Sequence, residues 1–120
     1  MTSKKWVAEI KKQMAKKGVD SDGFGNVIQT LAELLEERDK IYALYKKQGS
    51  QTLVEYTSNR GEVNMILNPL LKEWNGMNRD ALVYWRELGL TPAGLKKINE
   101  DSMKQNEGSS LDKVLSKLEK

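Results

Sequence analysis

Apolar residues recur at helical spacing over most of the chain, and the breaks in that pattern fall at glycines, prolines and one stretch of extended character. Trp6, Val7, Ile10 and Met14 follow one another at steps of one, three and four, which puts them on a single helix face. A lysine-rich turn then meets Gly18, so an amphipathic helix over residues 3–17 with a glycine stop is expected. Residues 18–25 mix glycines with Asp and Ser turn formers and predict a loop. From 26 to 48 there is neither Gly nor Pro, and Val27, Ile28, Leu31, Leu34, Leu35, Ile41, Tyr42 and Tyr45 hold a heptad-like stripe. That is the pattern of a long helix built to pack.

The period changes between 49 and 67. Leu53-Val54-Glu55-Tyr56-Thr57 and Val63-Asn64-Met65-Ile66-Leu67 flank the turn-like Ser58-Asn59-Arg60-Gly61, which predicts a small extended or β-hairpin arm. Two strands are marginal in water, so such an arm needs a neighbour or stays mobile. Asn68 before Pro69 is a helix cap and first turn, and Leu71, Trp74, Met77, Ala81, Leu82, Trp85 and Leu88 carry a second long helix to Gly89. Within it Gly76 marks either a kink or the close approach of another backbone. Thr91-Pro92 repeats the cap signature and opens a short helix to about residue 102. After the polar linker 103–110, Leu111, Val114, Leu115 and Leu118 form one apolar stripe on a segment too short to be helical alone.

The expected fold is mainly α. An antiparallel pair of long helices carries short flanking helices and the arm, and assembles into a homo-oligomer. Residues 1–18 form a basic N-terminal helix, 19–102 the helical core with the arm at 49–67, and 103–120 a flexible tail. With 38% hydrophobic and 31% charged residues, a lone monomer has a thin core, and self-assembly is one remedy. Leu31, Leu34, Leu35, Trp74 and Trp85 are the candidate oligomerisation residues, joined by Arg38, which falls where the stripe calls for an apolar side chain. Two readings of Arg38 stand: a polar group that fixes register, or an arginine snorkelling to the edge.

Composition narrows the chemistry sharply. There is no cysteine and no histidine among the 120 residues, so disulfides, a thiolate nucleophile, a soft metal site and an imidazole base are excluded. No catalytic residue, metal ligand or cofactor is expected. No signal-peptide pattern or membrane-spanning run is legible, so a soluble, intracellular protein without a membrane partner is expected. The net charge of +3 is unevenly spread. Lys4, Lys5, Lys11, Lys12, Lys16 and Lys17 face only Glu9 before Gly18, whereas acidic residues dominate 19–40. Such a basic block is either a solvated face or the footprint of a polyanion.

Asn68-Pro69-Leu70-Leu71-Lys72-Glu73-Trp74, followed by Arg86-Glu87-Leu88-Gly89-Leu90-Thr91-Pro92-Ala93-Gly94-Leu95-Lys96-Lys97-Ile98-Asn99, closely resembles the short terminase small subunits of tailed phages and prophages. The tryptophan-bearing basic helix, the segment from Thr30 to Asp39, the Val54-Glu55-Tyr56-Thr57 arm and the Lys/Leu-rich tail match that family in order and spacing. Leu88-Gly89-Leu90-Thr91-Pro92 is the most specific element. The resemblance implies a ring, with a nonamer as the expected count, that binds the packaging site of double-stranded phage DNA. It also implies delivery of that DNA to a separate large subunit bearing ATPase and nuclease, in the host bacterial cytoplasm. On that reading Leu111, Val114, Leu115 and Leu118 are the candidate dock for the large subunit.

Residues 82–98 also have the outline of a helix-turn-helix. The residues entering the second helix, Pro92 to Leu95, offer almost nothing to base edges before Lys96 and Lys97, and plain helix packing is the rival reading. Lys72, Arg79 and Arg86 recur every seven residues, as do Glu73, Asp80 and Glu87 beside them. Each set forms one column, and none of the six meets an opposite charge three or four residues away. Their partners are water, neighbouring segments, a second subunit or phosphates. The candidate DNA contacts are therefore the six N-terminal lysines with Arg79, Arg86, Lys96 and Lys97. A helix-turn-helix transcriptional regulator is the alternative function, and a purely structural helical oligomer is the third.

Overall fold

A computed structural model describes residues 1–103. The tail stripe at Leu111, Val114, Leu115 and Leu118 lies outside the described residues. The elements in chain order are α1 (Ser3–Lys16), α2 (Gly25–Lys47), β1 (Leu53–Thr57), β2 (Val63–Leu67) and α3 (Pro69–Glu87). A further helix, α4, covers residues 92–103. Among the described residues the chain is mainly helical with one small two-stranded antiparallel sheet, and each sequence-predicted boundary from α1 to α3 lies within one residue of the observed one.

Local chemistry accounts for the ends. Thr2 caps α1, its hydroxyl accepting from the Lys5 N–H at 3.3 Å, and Gly18 leaves the helix with φ +73, as a glycine terminator should. Asn68 caps α3 by accepting from the Leu70 N–H at 3.0 Å, with Pro69 in the first turn.

The helices α1 and α2 form a hairpin, and α3 returns along α2 in the opposite sense. Tyr42 near the end of α2 stacks on Trp74 near the start of α3, with centroids 5.2 Å apart. One α2 turn earlier, Arg38 donates to Asn78 Oδ1 at 3.3 Å. Earlier still, Val27 and Leu34 line a groove with Tyr84. The expected antiparallel long-helix pair is therefore present, with α1 lying against it as a third helix.

Ile10, Met14, Ile28, Leu31, Leu35 and Leu88 are fully buried in one core. Each such burial is worth roughly 1.5–3 kcal/mol relative to exposure. Leu31 and Leu35 thus lie inside the protomer, in a core shared with α1 and α3, and are not open to a second copy. Arg38 is also engaged within its own chain. Besides Asn78 it reaches Asp39 at 3.1 Å and sits over the Trp6 ring at 5.6 Å. Of the six oligomerisation candidates, Leu34, Arg38, Trp74 and Trp85 keep part of their surface exposed.

The corner between α3 and α4 is set by two glycines. Gly89 turns with φ +75, and a Cβ there would lie 2.8 Å from Ile98 Cδ1. Gly94 touches the Arg86 backbone so closely that a Cβ would stand 2.9 Å from the Arg86 carbonyl carbon and closer still to its oxygen. Only a hydrogen fits there, so α4 folds back tightly onto the end of α3. Gly76 behaves differently. The nearest atom to its missing Cβ is Arg79 Nη2 at 3.7 Å, and α3 runs unbroken through it.

Candidate nucleic-acid and assembly surfaces

On α1 the buried face is made by Ile10 and Met14, with Trp6 and Val7 packed beside them. At about 100° per residue, Lys5, Lys12 and Lys16 stand opposite that face, and Lys4 and Lys11 flank them. All six N-terminal lysines are exposed. Among the described residues none of them takes part in an ion pair, and Glu9, the one acid on this helix, accepts from Gln13 at 2.8 Å. The outer face of α1 is thus an uncompensated lysine surface carried on a helix anchored in the core.

The anchor is a carboxylate. Asp39 Oδ2 accepts from the Trp6 indole N–H at 2.8 Å and from the Met1 ammonium at 3.2 Å, while Oδ1 accepts from Arg38. Burial pushes the Asp39 carboxyl up, but the hydrogen bonds from Trp6, Arg38 and Met1, together with the Arg38 charge, outweigh it and hold the group below its ordinary value. In the sequence Asp39 is one charge among the acidic residues that dominate 19–40. Its partner Trp6 lies 33 residues away, and no local spacing signals such a pair.

On α3 the two charge columns are exposed throughout. They lie about 100° apart around the helix, on the side turned away from the core, with Gly76 and Val83 between them. The acidic flank borders α2, where Asp80 and Glu87 rim a groove of about 420 Å³ floored by Val27, Leu34 and Tyr84. The basic flank carries Leu82, which is 50% exposed beside Val83 at 56%. Nearer the arm, Lys72 and Arg79 line a groove of about 960 Å³ with Asn75, Asn78 and β2 residues Ile66 and Leu67.

Lys96 and Lys97 are exposed on α4, and Lys96 lies 4.0 Å from Glu100 one turn on. Trp74 stacks on Tyr42, and Trp85 lines a small cleft with Gln13, Lys17, Leu82 and Leu90.

The arm pairs Leu53 with Leu67, Glu55 with Met65 and Thr57 with Val63 on one face, and Val54 with Ile66 on the other. Leu53, Tyr56, Val63, Met65 and Leu67 are all exposed. What holds the base is polar. Tyr45 Oη donates to the Ser50 carbonyl at 3.0 Å, and the buried Asn68 donates from Nδ2 to the Gln51 carbonyl at 2.9 Å.

Among the described residues no group of three or more acidic, His or Cys side chains is placed to hold a metal ion, and no helix is long and apolar enough to cross a membrane. No curated protein and no solved structure matches the chain. The family model for the small subunit of phage terminase matches residues 3–105, which takes in every element from α1 to α4. The chain therefore belongs to the phage terminase small-subunit family, and its role lies in packaging phage DNA.

Proposed function

We propose that the protein is the recognition and recruitment component of the packaging machine rather than its catalyst. It forms a homo-oligomeric ring, binds the packaging site on double-stranded phage DNA, and recruits and regulates the large ATPase and nuclease subunit. The observation that carries the DNA reading is the outer face of α1. Lysines held on a docked helix, with no acid left to neutralise them, give affinity for phosphates without reading sequence. Arg79, Arg86, Lys96 and Lys97 are secondary candidates, and the paired Lys96 is the weakest of them.

The division of labour follows the chain. Residues 1–18 contact the DNA backbone, 19–102 assemble the ring and 103–120 reach the large subunit. Leu34, Trp74 and Trp85 retain surface for contact between copies. The stripe Leu111, Val114, Leu115 and Leu118 is the proposed dock on sequence grounds alone. A nonamer is the proposed count.

The test is DNA affinity as a function of salt for the variant with Lys4, Lys5, Lys11 and Lys12 changed to Gln. Because these side chains are exposed, the fold survives. Binding should weaken for every sequence, and the slope of log K against log salt should fall by about 0.9 for each lost contact. Unchanged affinity at low salt would remove α1 from the interface. A parallel deletion of residues 111–120 should leave assembly and DNA binding intact and abolish stimulation of the large subunit's ATPase.

A further inference from the structure

The two flanks of α3 are complementary in charge, in shape and in register. Along the basic flank the order is Arg79, Leu82, Arg86, a protruding apolar side chain between two cations. Along the acidic flank the order is Asp80, groove, Glu87, an apolar trough between two anions. Cations and anions share the same seven-residue spacing and are offset by a single residue, an axial shift of about 1.5 Å. A seven-residue column drifts by about 20° per repeat on a straight helix, a small departure over the single repeat from residue 79 to residue 86.

We propose that Arg79, Leu82 and Arg86 of one copy dock on Asp80, the groove floored by Val27, Leu34 and Tyr84, and Glu87 of the next copy. The two α3 helices run parallel and almost unshifted. Leu82 enters the neighbour's groove, while Arg79 faces the neighbour's Asp80 and Arg86 its Glu87. This deepens the ring reading and rests on it, since it names the faces that meet.

The charges select the orientation. A two-fold axis perpendicular to the helices makes them antiparallel and brings the same flank of each copy together, setting acid against acid or base against base. Parallel neighbours set the acidic flank of one against the basic flank of the other. Since a pair then still presents one free acidic flank and one free basic flank, addition continues until the ring closes. None of Arg79, Asp80, Arg86 or Glu87 forms an ion pair among the described residues. Gly76 lies on the strip between the flanks with nothing but Arg79 Nη2 within 4 Å of where its Cβ would be, leaving that strip low enough for a close neighbour. On this assignment Arg79 and Arg86 serve the neighbouring subunit, and DNA contact falls to α1.

The experiment is native mass spectrometry of four full-length proteins. The unmodified chain should be a closed oligomer of more than two copies. The variant Arg79→Asp with Arg86→Glu carries two acidic flanks and should be monomeric. Adding Asp80→Arg and Glu87→Arg exchanges the flanks at constant net charge and should restore the oligomer. Leu82→Glu, which drives a carboxylate toward the acidic groove, should dissociate the assembly, whereas Leu82→Lys at the same position should retain it. All of these sites are exposed in the protomer, and unchanged helical circular dichroism establishes that each variant is folded. An unmodified oligomer whose mass survives Arg79→Asp with Arg86→Glu overturns this interface and leaves the ring reading standing. Failure of the exchanged variant to reassemble also overturns it. An unmodified chain that is a monomer or dimer overturns both.

Discussion

The Trp6 indole donates a 2.8 Å hydrogen bond to Asp39, joining the first turn of α1 to the middle of α2. The same carboxylate accepts from Arg38, whose guanidinium lies over the Trp6 ring and reaches Asn78 on α3. One acidic side chain therefore organises the meeting of three helices.

The pH dependence of stability follows from that carboxylate. Its folded pKa lies below the ordinary 3.8 because hydrogen bonds and the Arg38 charge overcome the cost of burial. The unfolded chain consequently takes up the proton first as the pH drops. The contribution of Asp39 is complete above its unfolded pKa and is lost as pH falls through the folded value. Thermal unfolding of the wild type and Asp39→Asn should differ most near neutral pH and converge in strong acid. A difference that does not shrink below the ordinary carboxylate value contradicts this account.

Gly94→Ala should destabilise the protein by about 2 kcal/mol, since overpacking costs roughly 1–3 kcal/mol and alanine's helix propensity recovers only part of that. The obstacle is the Arg86 backbone, not a side chain that can turn aside. Urea denaturation followed by circular dichroism measures the loss. A neutral substitution would mean that α4 does not lie against Arg86.

Gly76→Ala should act in the opposite sense. The position is helical and the space around it is open, so alanine should raise protomer stability by up to about 1 kcal/mol. The urea midpoint should rise without a change in slope.

Tyr45→Phe removes the hydroxyl that holds the Ser50 carbonyl at the base of the arm, while keeping the mostly buried ring. The expected cost is about 1 kcal/mol. Amide exchange should accelerate in β1 and β2 while the core around Leu31 and Leu35 stays protected, since the bond lies outside that cluster.

Elements with local chemical punctuation were legible in the sequence. Gly18, the Asn68-Pro69 pair and Thr91-Pro92 mark helix ends by the conformations they require, and the strand ends of the arm coincide with its change of period. Contact partners were less legible. A stripe shows which side of α2 is apolar, but not that Leu31 and Leu35 are fully buried in the core while Leu34 lies at the edge of a groove. Arg38 breaks the stripe for a reason held 32 residues upstream in Trp6 and 40 residues downstream in Asn78. The charge columns of α3 were visible from their spacing. The groove that gives the acidic one a shape is lined by both α2 and α3, and appears only when the two helices are side by side.

Asn68 ends the arm and begins α3 in the same side chain. Its backbone N–H bonds to the Thr52 carbonyl at 2.8 Å, its amide nitrogen holds Gln51, and its Oδ1 caps the helix at Leu70. The joint between sheet and helix thus has no slack residue to absorb a twist. A sideways load on the arm therefore reaches the first turn of α3 through hydrogen bonds of a single residue, with no free linker between them.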